Sequence, residues 1–497
     1  MTILESSANP NPEPQPQPKP GPSPIKPRER DAILQSLRAG VVPRIGLRHL
    51  QVGRRDEVAA VIEDLARIEA GGASIRFVIG RYGAGKSFFL NLIRMVALER
   101  KFVVAQADIT TERRLQGAGG QARALYSELM QNLATRAKPE GGAIAGVVER
   151  WVSDVDHEVK GGGGTDADLT REIDRRLKPL QDLVSGYDFA AVIGKYLQGF
   201  QTHNEPLMAS ALRWLRAEYR TKTEARQDLG VRSIIDDAQF YDYLKLFAAF
   251  CRLAGFAGLL VSIDEMVVLS QRLNSSQARN ANYEAILRIV NDCLQGNVSG
   301  IGFLFGGTDT FLEDRRRGLA SYEALATRLA ENRFAKSGLK DLSGPVIRLE
   351  NLSPEDLYVL LHNLRHVFAL EDSSKYLVDD EGLRAFMDQS SKQLGADFFM
   401  TPRDSVKAFV GLLSVLDQNP GTTWRTMLAD TKIEKTADLN EVFEPEHPEN
   451  PTPVIAAPTG TVTTSETVTP AVSSTPITST LPSNPSRDDE DLASFKL

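Results

Sequence analysis

Residues 75–90 read IRFVIGRYGAGKSFFL, and this stretch decides the fold. Apolar residues typical of a strand run into a glycine turn, which is followed by Lys86, Ser87 and residues typical of a helix. The turn, residues 80–87, fits G-x-x-x-x-G-K-[ST] at every fixed position. A loop of this kind turns its backbone N–H groups toward phosphate, and residues with a Cβ would crowd that approach. The stretch therefore predicts a strand, a phosphate-binding loop and a helix.

The loop pattern assigns roles to individual residues. Lys86 is predicted to reach the β and γ phosphates of a nucleoside triphosphate, and the Ser87 hydroxyl to ligate Mg²⁺. The helix that begins there points the positive end of its dipole at the phosphates. The other residues predicted to bind the nucleotide are the rest of the loop, Gly80, Arg81, Tyr82, Gly83, Ala84 and Gly85, and Phe88 directly after it. A glycine turn of purely structural use is the alternative, and the flanking strand and helix patterns disfavour it.

A second acidic element follows another apolar stretch, GLLVSIDEMVVLS at residues 258–270. Ionised carboxylates at the end of a buried strand are costly unless they serve a cation or a water molecule. We assign Asp264 to the Mg²⁺ shell, and Glu265 to orienting and deprotonating the attacking water. An acidic pair at a helix N-terminus is the simpler interpretation, but the phosphate loop favours the catalytic one.

Short apolar stretches alternate with helical patterns along the middle of the chain, as in an α/β protein with a parallel sheet covered on both faces. The predicted strands are 76–79, 102–105, 259–263, 301–305 and 346–349. Between the second and third of these, residues 112–250 are predicted as a helical insertion. The pattern therefore predicts a five-stranded parallel sheet interrupted by a large helical region.

The two ends of the chain differ from the middle in composition. Residues 1–29 are rich in Pro and Gln, and residues 433–497 in Pro, Thr and Ser, so we predict both as disordered tails. Residues 351–432 carry two helix-start signals, each a hydroxyl cap followed by proline and an acidic residue. The two signals are Ser353, Pro354 and Asp356, and Thr401, Pro402 and Asp404. This part is predicted as a separate helical unit.

Length and composition limit the class of protein. A chain of 497 residues exceeds what one core usually supports, so more than one folded unit is expected. The net charge of −7 argues against a protein that coats nucleic acid by bulk charge. Cys251 and Cys293 lie in helical patterns and are predicted to be buried thiols. We find no apolar run of the roughly 20 residues that a membrane span needs and no signal peptide, so we expect a cytoplasmic protein.

Four further residues are candidates for contacting the nucleotide. Thr308 follows the fourth predicted strand, where it either contacts the attacking water or simply caps a turn. Arg403 lies in the first turn of a helix, where the dipole disfavours a cation, so it is either an exposed arginine or one turned toward a phosphate. Arg328 and Arg333 are candidates for stabilising phosphoryl charge in a neighbouring subunit.

Together these motifs resemble the AAA+ P-loop ATPases, and within them the origin-recognition and STAND-like branch. The matching motifs span residues 50–415 and are Walker A as GRYGAGKS, Walker B as LLVSIDE, sensor 1 at Thr308, and sensor 2 as TPRDSVKAF with Arg403. More narrowly, GRYGAGKSFFLNLIRMVALERKFVVAQADIT and the following GGQARALYSELMQNLATR are similar to the ATP-binding protein of BREX phage-defence systems (BrxD-like).

The resemblance implies an AAA+ core over residues 30–350, with the helical insertion before Walker B, and a helical lid over 351–432. It implies ATP and Mg²⁺ as cofactors, hydrolysis that depends on a homo-oligomer, and action beside a helicase or other defence proteins on DNA. It also implies that Val52, Gly53 and Arg54 line the adenine pocket. Origin-recognition proteins carry a winged-helix domain after the lid, and here a Pro-rich tail follows, so we do not expect DNA binding by that route.

Three functional hypotheses follow. The first is an ATP-hydrolysing AAA+ protein that assembles through its nucleotide sites and remodels or licenses a DNA-associated defence complex. The second is a STAND-type switch or adaptor, in which bound ATP holds an assembly and turnover is slow. The third, a small-molecule kinase, is weaker because the predicted lid offers no arginine-rich acceptor site.

Overall fold

The structure is a computed structural model that describes residues 24–334, 340–394 and 401–430. Its five strands form one sheet, in which every pair is parallel and the order is β2-β3-β4-β1-β5. The strands are β1 (Ala73–Ile79), β2 (Val103–Asp108), β3 (Leu259–Asp264), β4 (Ile301–Gly307) and β5 (Val346–Arg348). The predicted five-stranded parallel sheet is confirmed.

The helices fall into three groups along the chain. Those before β2 are α1 (Pro27–Arg38), α2 (Arg55–Glu69) and α3 (Lys86–Glu99). Those between β2 and β3 are α4 (Gln121–Gln131), α5 (Ile144–Gly161), α6 (Asp166–Gln181), α7 (Gly186–Gln201), α8 (Glu205–Leu215), α9 (Lys222–Leu229) and α10 (Phe240–Leu253). Those after β3 are α11 (Val267–Gln271), α12 (Ser276–Gln295), α13 (Asp309–Glu313), α14 (Glu323–Arg328), α15 (Pro354–Phe368), α16 (Asp380–Leu394), α17 (Pro402–Gln418) and α18 (Trp424–Asp430).

Alternate residues of the strands serve the two faces of the sheet. Phe77 and Phe305 lie on the face whose apolar cluster includes α4, α5, α10 and α12. Val78 and Leu304 lie on the opposite face, in the cluster formed with α2 and α3. Because both faces are covered, the strands read as continuous apolar runs, and this made them visible in the sequence.

Strand β1 contains a buried arginine. Arg76 is about 5% exposed, and its guanidinium makes a two-point contact with the Asp64 carboxylate of α2, with Nε to Oδ2 at 2.6 Å and Nη2 to Oδ1 at 3.1 Å. Its Nη1 donates to the Leu342 carbonyl at 2.8 Å. A buried charge needs a partner of this kind, so α2 and the segment before β5 are both tied to β1.

A separate apolar cluster forms around α15, α16, α17 and α18. Helix α1 joins it through Ile33 and Leu34, and Arg38 donates a hydrogen bond to Ser414 Oγ on α17 at 2.7 Å. Ser353 and Thr401 cap α15 and α17 as the sequence predicts. The helices after β5 therefore have their own core, which the beginning of the chain completes.

The folded part begins earlier than predicted. The sequence assigned residues 1–29 to a tail, but α1 starts at Pro27 and Ile25 is buried. Proline is favoured at the first position of a helix, where its missing N–H is not needed, so a Pro-rich composition did not exclude a helix here. The rest of that predicted tail, residues 1–23, and the one over 433–497 lie outside the described residues.

Candidate nucleotide site

The strand order brings three predicted site segments to one edge of the sheet. Strands β3, β4 and β1 are neighbours, and all point the same way. The phosphate loop follows β1, Asp264 and Glu265 come at the end of β3, and Thr308 follows β4. The carboxyl edge of the central strands is where parallel sheets place ligands.

The phosphate loop is tightly curled and leads into α3. Gly83 and Gly85 have φ of +78° and +95°, a region that residues with a Cβ rarely adopt. A Cβ on Gly80 would lie 2.7 Å from the Leu349 carbonyl oxygen, so only glycine fits there. Lys86 Nζ donates to the carbonyls of Gly80 and Arg81, both at 2.9 Å. The lysine ammonium is thus held at the loop itself.

The two predicted magnesium ligands touch each other. Ser87 Oγ donates to Asp264 Oδ2 at 2.7 Å, although 177 positions separate them in sequence. The other carboxylate oxygen, Oδ1, accepts from the Glu265 backbone N–H at 2.9 Å. A Cβ on Gly306 would lie only 2.2 Å from that oxygen, so glycine at this point of β4 leaves room for the carboxylate. A hydroxyl and a carboxylate in contact form a hard oxygen pair that suits Mg²⁺.

Glu265 has the backbone and the electrostatic surroundings of a functional residue. Its φ is +57°, which is uncommon for a residue other than glycine. The residue is exposed, yet nearby protein atoms displace part of its hydration. That desolvation, with the charges of Asp264 and Asp108, raises the pKa of Glu265, while Lys86 opposes the rise. A carboxyl with a raised pKa is a better proton acceptor than an ordinary one.

Asp108 is a member of the site that sequence reasoning missed. It ends β2 and pairs in register with Asp264 at the end of β3. Desolvation and the Asp264 charge raise the pKa of Asp108. The sequence did carry a signal for this residue, because Asp108 follows the second apolar stretch just as Asp264 follows the third. Asp108, Asp264 and Glu265 give this edge concentrated negative charge.

Thr308 caps the helix after β4. Its Oγ1 accepts from the Phe311 N–H at 3.3 Å and lies 2.8 Å from Thr310 Oγ1. Thr308 therefore has the capping role, which is one of the two roles that the sequence left open. Contact of Thr308 with an attacking water stays a prediction.

The predicted adenine-pocket segment lies against both the phosphate loop and the helices after β5. Arg54, with φ +60°, donates to the Ala84 carbonyl at 3.3 Å and to the Glu350 carbonyl. Burial lowers the pKa of Arg54, against the charges of nearby acidic residues. Val52 and Phe88 both pack on the apolar cluster of α15–α18. Gly53 is beside the Asp356 carboxylate in the first turn of α15.

Arg403 reaches the phosphate loop. Its guanidinium donates to the Tyr82 hydroxyl, and its Cζ lies 5.0 Å from the centre of the Tyr82 ring. Arg403 is exposed and also contacts the loop, so it has features of both interpretations that the sequence left open. Its contact with phosphate remains a prediction.

Arg328 and Arg333 lie at the end of α14 and in the segment that follows it. Arg328 ends α14, where its Nε donates to Asn291 Oδ1 at 2.6 Å and its Nη1 to the Ala324 carbonyl at 2.9 Å. Arg333 is exposed in the segment that follows. Their action on the site of a neighbouring subunit stays a prediction.

A family model for BREX system ATP-binding proteins, BrxC/D, matches residues 25–432. The chain belongs to this family. The match begins where Ile25 enters the cluster completed by α1, and it spans all eighteen helices and the sheet of the described residues. The predicted resemblance to BREX ATP-binding proteins is thereby confirmed, and BrxC/D membership supports ATP as the nucleotide.

No curated protein matches the chain. Among the residues that the structure describes, no helix of this BrxC/D protein is both long and apolar enough to cross a membrane.

Proposed function

We propose that this protein is a Mg²⁺-dependent ATPase of the AAA+ type that oligomerises and remodels or licenses a DNA-associated phage-defence complex. The observation that carries the proposal is the 2.7 Å contact between Ser87 Oγ and Asp264 Oδ2. It joins the phosphate loop to the acidic end of β3, so one metal-bound triphosphate can contact both. Membership of a family of BREX ATP-binding proteins supports the nucleotide and the defence context.

The residues present fit a magnesium nucleotide. Ser87 and Asp264 would hold Mg²⁺ with the phosphate oxygens, and the metal would neutralise charge that develops on the phosphates. Lys86 exchanges its loop carbonyl partners, Gly80 and Arg81, for phosphate oxygens. The backbone N–H groups of the loop and of the first turn of α3 supply further donors.

Hydrolysis needs a water molecule in line with the bond that breaks. Glu265, adjacent to Asp264, orients that water and accepts its proton as the oxygen bonds to the γ phosphorus. The bond from that phosphorus to the oxygen bridging it to the β phosphate breaks, and ADP and inorganic phosphate leave. Thr308, on the neighbouring strand end, contacts the same water.

Two substitutions test this assignment. Glu265→Gln keeps the size of the side chain and removes the proton acceptor, so ATP turnover is expected to fall by about 100-fold or more while ATP binding is retained. Lys86→Ala is expected to lose both, because the phosphates lose their cation. Binding is measured by titration calorimetry and turnover by phosphate release. Unchanged turnover of Glu265→Gln in the assembled protein would refute the base assignment.

The assembled state is part of the proposal. Arg328 and Arg333 are the candidates for completing the site of a neighbouring subunit, with a helicase or other defence proteins as partners and the cytoplasm as the compartment. Specific ATPase activity that rises with protein concentration, with a further increase on double-stranded DNA, is the expected result. Activity per molecule that is constant across a hundredfold dilution would argue against a site completed in trans.

A nucleotide-gated switch is the second candidate. It is favoured by the direct contact of Arg403, from the helices after β5, with Tyr82 in the phosphate loop, because bound nucleotide would then report to those helices. Mass measurement with ATP and with ADP, alongside steady-state turnover, separates the two functions. Rapid ATP turnover stimulated by DNA supports the ATPase that remodels or licenses a complex. An assembly locked by ATP without turnover supports the switch.

A further inference from the structure

Tyr82 and Arg403 form a contact whose geometry is specific. Tyr82 is about 42% exposed at the tip of the phosphate loop, and Arg403 belongs to the first turn of α17. The guanidinium lies over the tyrosine ring, with Cζ 5.0 Å from the centroid, and one of its N–H groups donates to the tyrosine hydroxyl. Both the face and the polar edge of one aromatic side chain are therefore engaged by one arginine.

The backbone around this contact leaves space for it. A Cβ on Gly40, which has φ +71°, would lie 3.1 Å from Arg403 Nε. A Cβ on Gly83, next to Tyr82, would lie 2.5 Å from Thr401 Oγ1, the cap of α17. Glycine at each position allows α17 to approach the loop closely. The start of α17 is thus seated on the phosphate loop, and the segment after α1 lies beside Arg403.

The contact offsets an unfavourable position for a cation. The positive end of the α17 dipole disfavours an arginine in the first turn, and a cation above an aromatic ring gains about 0.5–2 kcal/mol in general. A guanidinium carries five N–H donors, and the tyrosine hydroxyl accepts from one of them. Donors therefore remain for phosphate oxygens while the arginine stays on the ring.

We propose that Tyr82 is a positioning residue that holds Arg403 at the phosphate loop before the nucleotide arrives. The inference rests on the proposed function, since it takes the bound ligand to be a nucleotide phosphate. Pre-positioning removes part of the cost of ordering a long, flexible side chain on binding, so ATP binds more tightly. The role is specific to the arginine, because the ring has no charge of its own to offer the phosphates.

A double-mutant cycle on ATP affinity tests the proposal in the full-length protein. Tyr82→Ala is expected to raise the Kd for ATP about fivefold, the scale of one cation–π contact. Tyr82→Phe, the matched control, keeps the ring. It is expected to keep more than half of the contribution that Tyr82 makes to the free energy of ATP binding. In an Arg403→Ala background, Tyr82→Ala is expected to change the Kd by less than twofold. An equal loss with and without Arg403 would overturn the proposal, because Tyr82 would then act on the nucleotide or on the loop alone.

A nucleotide-free measurement keeps this test separate from that of the proposed function. Hydrogen exchange of the first turn of α17 is expected to be faster in Tyr82→Ala than in wild type, with Tyr82→Phe close to wild type. If wild type binds no ATP, the proposed function fails, and exchange still reports whether Tyr82 holds α17 on the loop. Exchange that is unchanged in Tyr82→Ala, or ATP binding that becomes tighter, would overturn the proposal.

Discussion

Gly306 shows how a residue without a side chain shapes the site. A Cβ at this position would lie 2.2 Å from Asp264 Oδ1, and the glycine has an ordinary φ, so alanine meets a steric conflict with the carboxylate rather than a backbone one. We expect Gly306→Ala to displace Asp264 from Ser87 and to raise the Mg²⁺ concentration for half-maximal ATPase activity several-fold. The measurement is a Mg²⁺ titration of the initial rate.

The control for this prediction lies on the same strand. A Cβ on Gly302, near the start of β4, would meet the Ile68 Cδ1 methyl at 2.4 Å, which is the far end of a flexible side chain. Gly302 thus lies at the opposite end of the strand from Gly306. Gly302→Ala should leave the Mg²⁺ dependence unchanged, whatever it does to stability. A Gly306→Ala variant with the wild-type Mg²⁺ dependence would contradict the proposed role of Asp264.

The raised pKa of Asp108 predicts that the stability of the protein depends on pH. A carboxyl whose pKa is raised on folding holds its proton more tightly in the folded state, so ionising it costs stability. This cost is absent below the unfolded pKa of about 4 and is fully present above the folded pKa. In metal-free buffer, Asp108→Asn should therefore raise the unfolding temperature at pH 7, and the gain should vanish near pH 3.

Glu112 provides the matched control for Asp108. Hydrogen bonds, the strongest from the Thr111 hydroxyl, lower the pKa of Glu112, so its ionised form is favoured in the folded state. Glu112→Gln should give no gain at pH 7. Equal gains from both substitutions would show that overall negative charge matters, rather than the position of Asp108 beside Asp264.

The sequence named Lys86 and Ser87 from the fixed positions of the loop pattern, and Asp264 from its place at the end of an apolar stretch. The structure brings Ser87 and Asp264 into contact, while their roles stay predictions. Asp108 and the pairing of Tyr82 with Arg403 were not named, since they depend on which strand ends are neighbours and on how a later helix lies on the loop. The local sequence shows that Asp108 ends an apolar stretch, but it specifies neither the pairing of Asp108 with Asp264 nor the contact of Arg403 with Tyr82.

At the scale of elements, the buried pair of Arg76 and Asp64 ties α2 to β1. Removing one partner of a buried, hydrogen-bonded pair leaves an uncompensated charge and generally costs about 3–5 kcal/mol. We expect Asp64→Ala to destabilise the protein by about 3 kcal/mol in urea unfolding, on that general scale. The double variant Asp64→Leu with Arg76→Met should lose less than the sum of its two single variants. Additive losses would show that the pair is not coupled.

Elements were predicted well where burial leaves a continuous apolar run. All five strands were found, but β1 begins at Ala73, three residues before the predicted start at Arg76. A charged residue breaks the apolar pattern of a strand, and Arg76 is accommodated by Asp64 on α2 and by the Leu342 carbonyl. The start of α1 was missed for a related reason, because the residues that accept its apolar face come much later in the chain.

At the scale of the whole molecule, α1 and α17 come from distant parts of the chain and meet beside the phosphate loop. Helix α1 packs with α15 and α17, and Arg403 of α17 lies between Gly40 and Tyr82. A nucleotide at the loop would therefore contact the sheet and the helices after β5 together. This arrangement gives a physical route by which ATP can bias the position of α15–α18, whether the protein is a remodelling ATPase or a nucleotide-gated switch.

Mixing two inactive variants tests whether one subunit completes the site of another. Lys86→Ala has a defective phosphate loop but keeps Arg333, and Arg333→Ala keeps the loop but lacks the exposed arginine. If Arg333 acts in trans, mixed assemblies contain pairs in which an intact loop faces an intact arginine. Phosphate release from the mixture should then clearly exceed the sum of the two separate variants.

The same experiment with Arg328→Ala distinguishes the two arginines. Both arginines are exposed, but Arg328 is engaged by Asn291 and by the Ala324 carbonyl of its own chain. We therefore expect complementation with Arg333→Ala and little loss of activity in Arg328→Ala alone. Complementation confined to Arg328→Ala would reverse the assignment. If neither mixture regains activity although each Arg variant is inactive and the variants co-assemble, the arginines act within their own subunit, and the case for a site shared between neighbours fails.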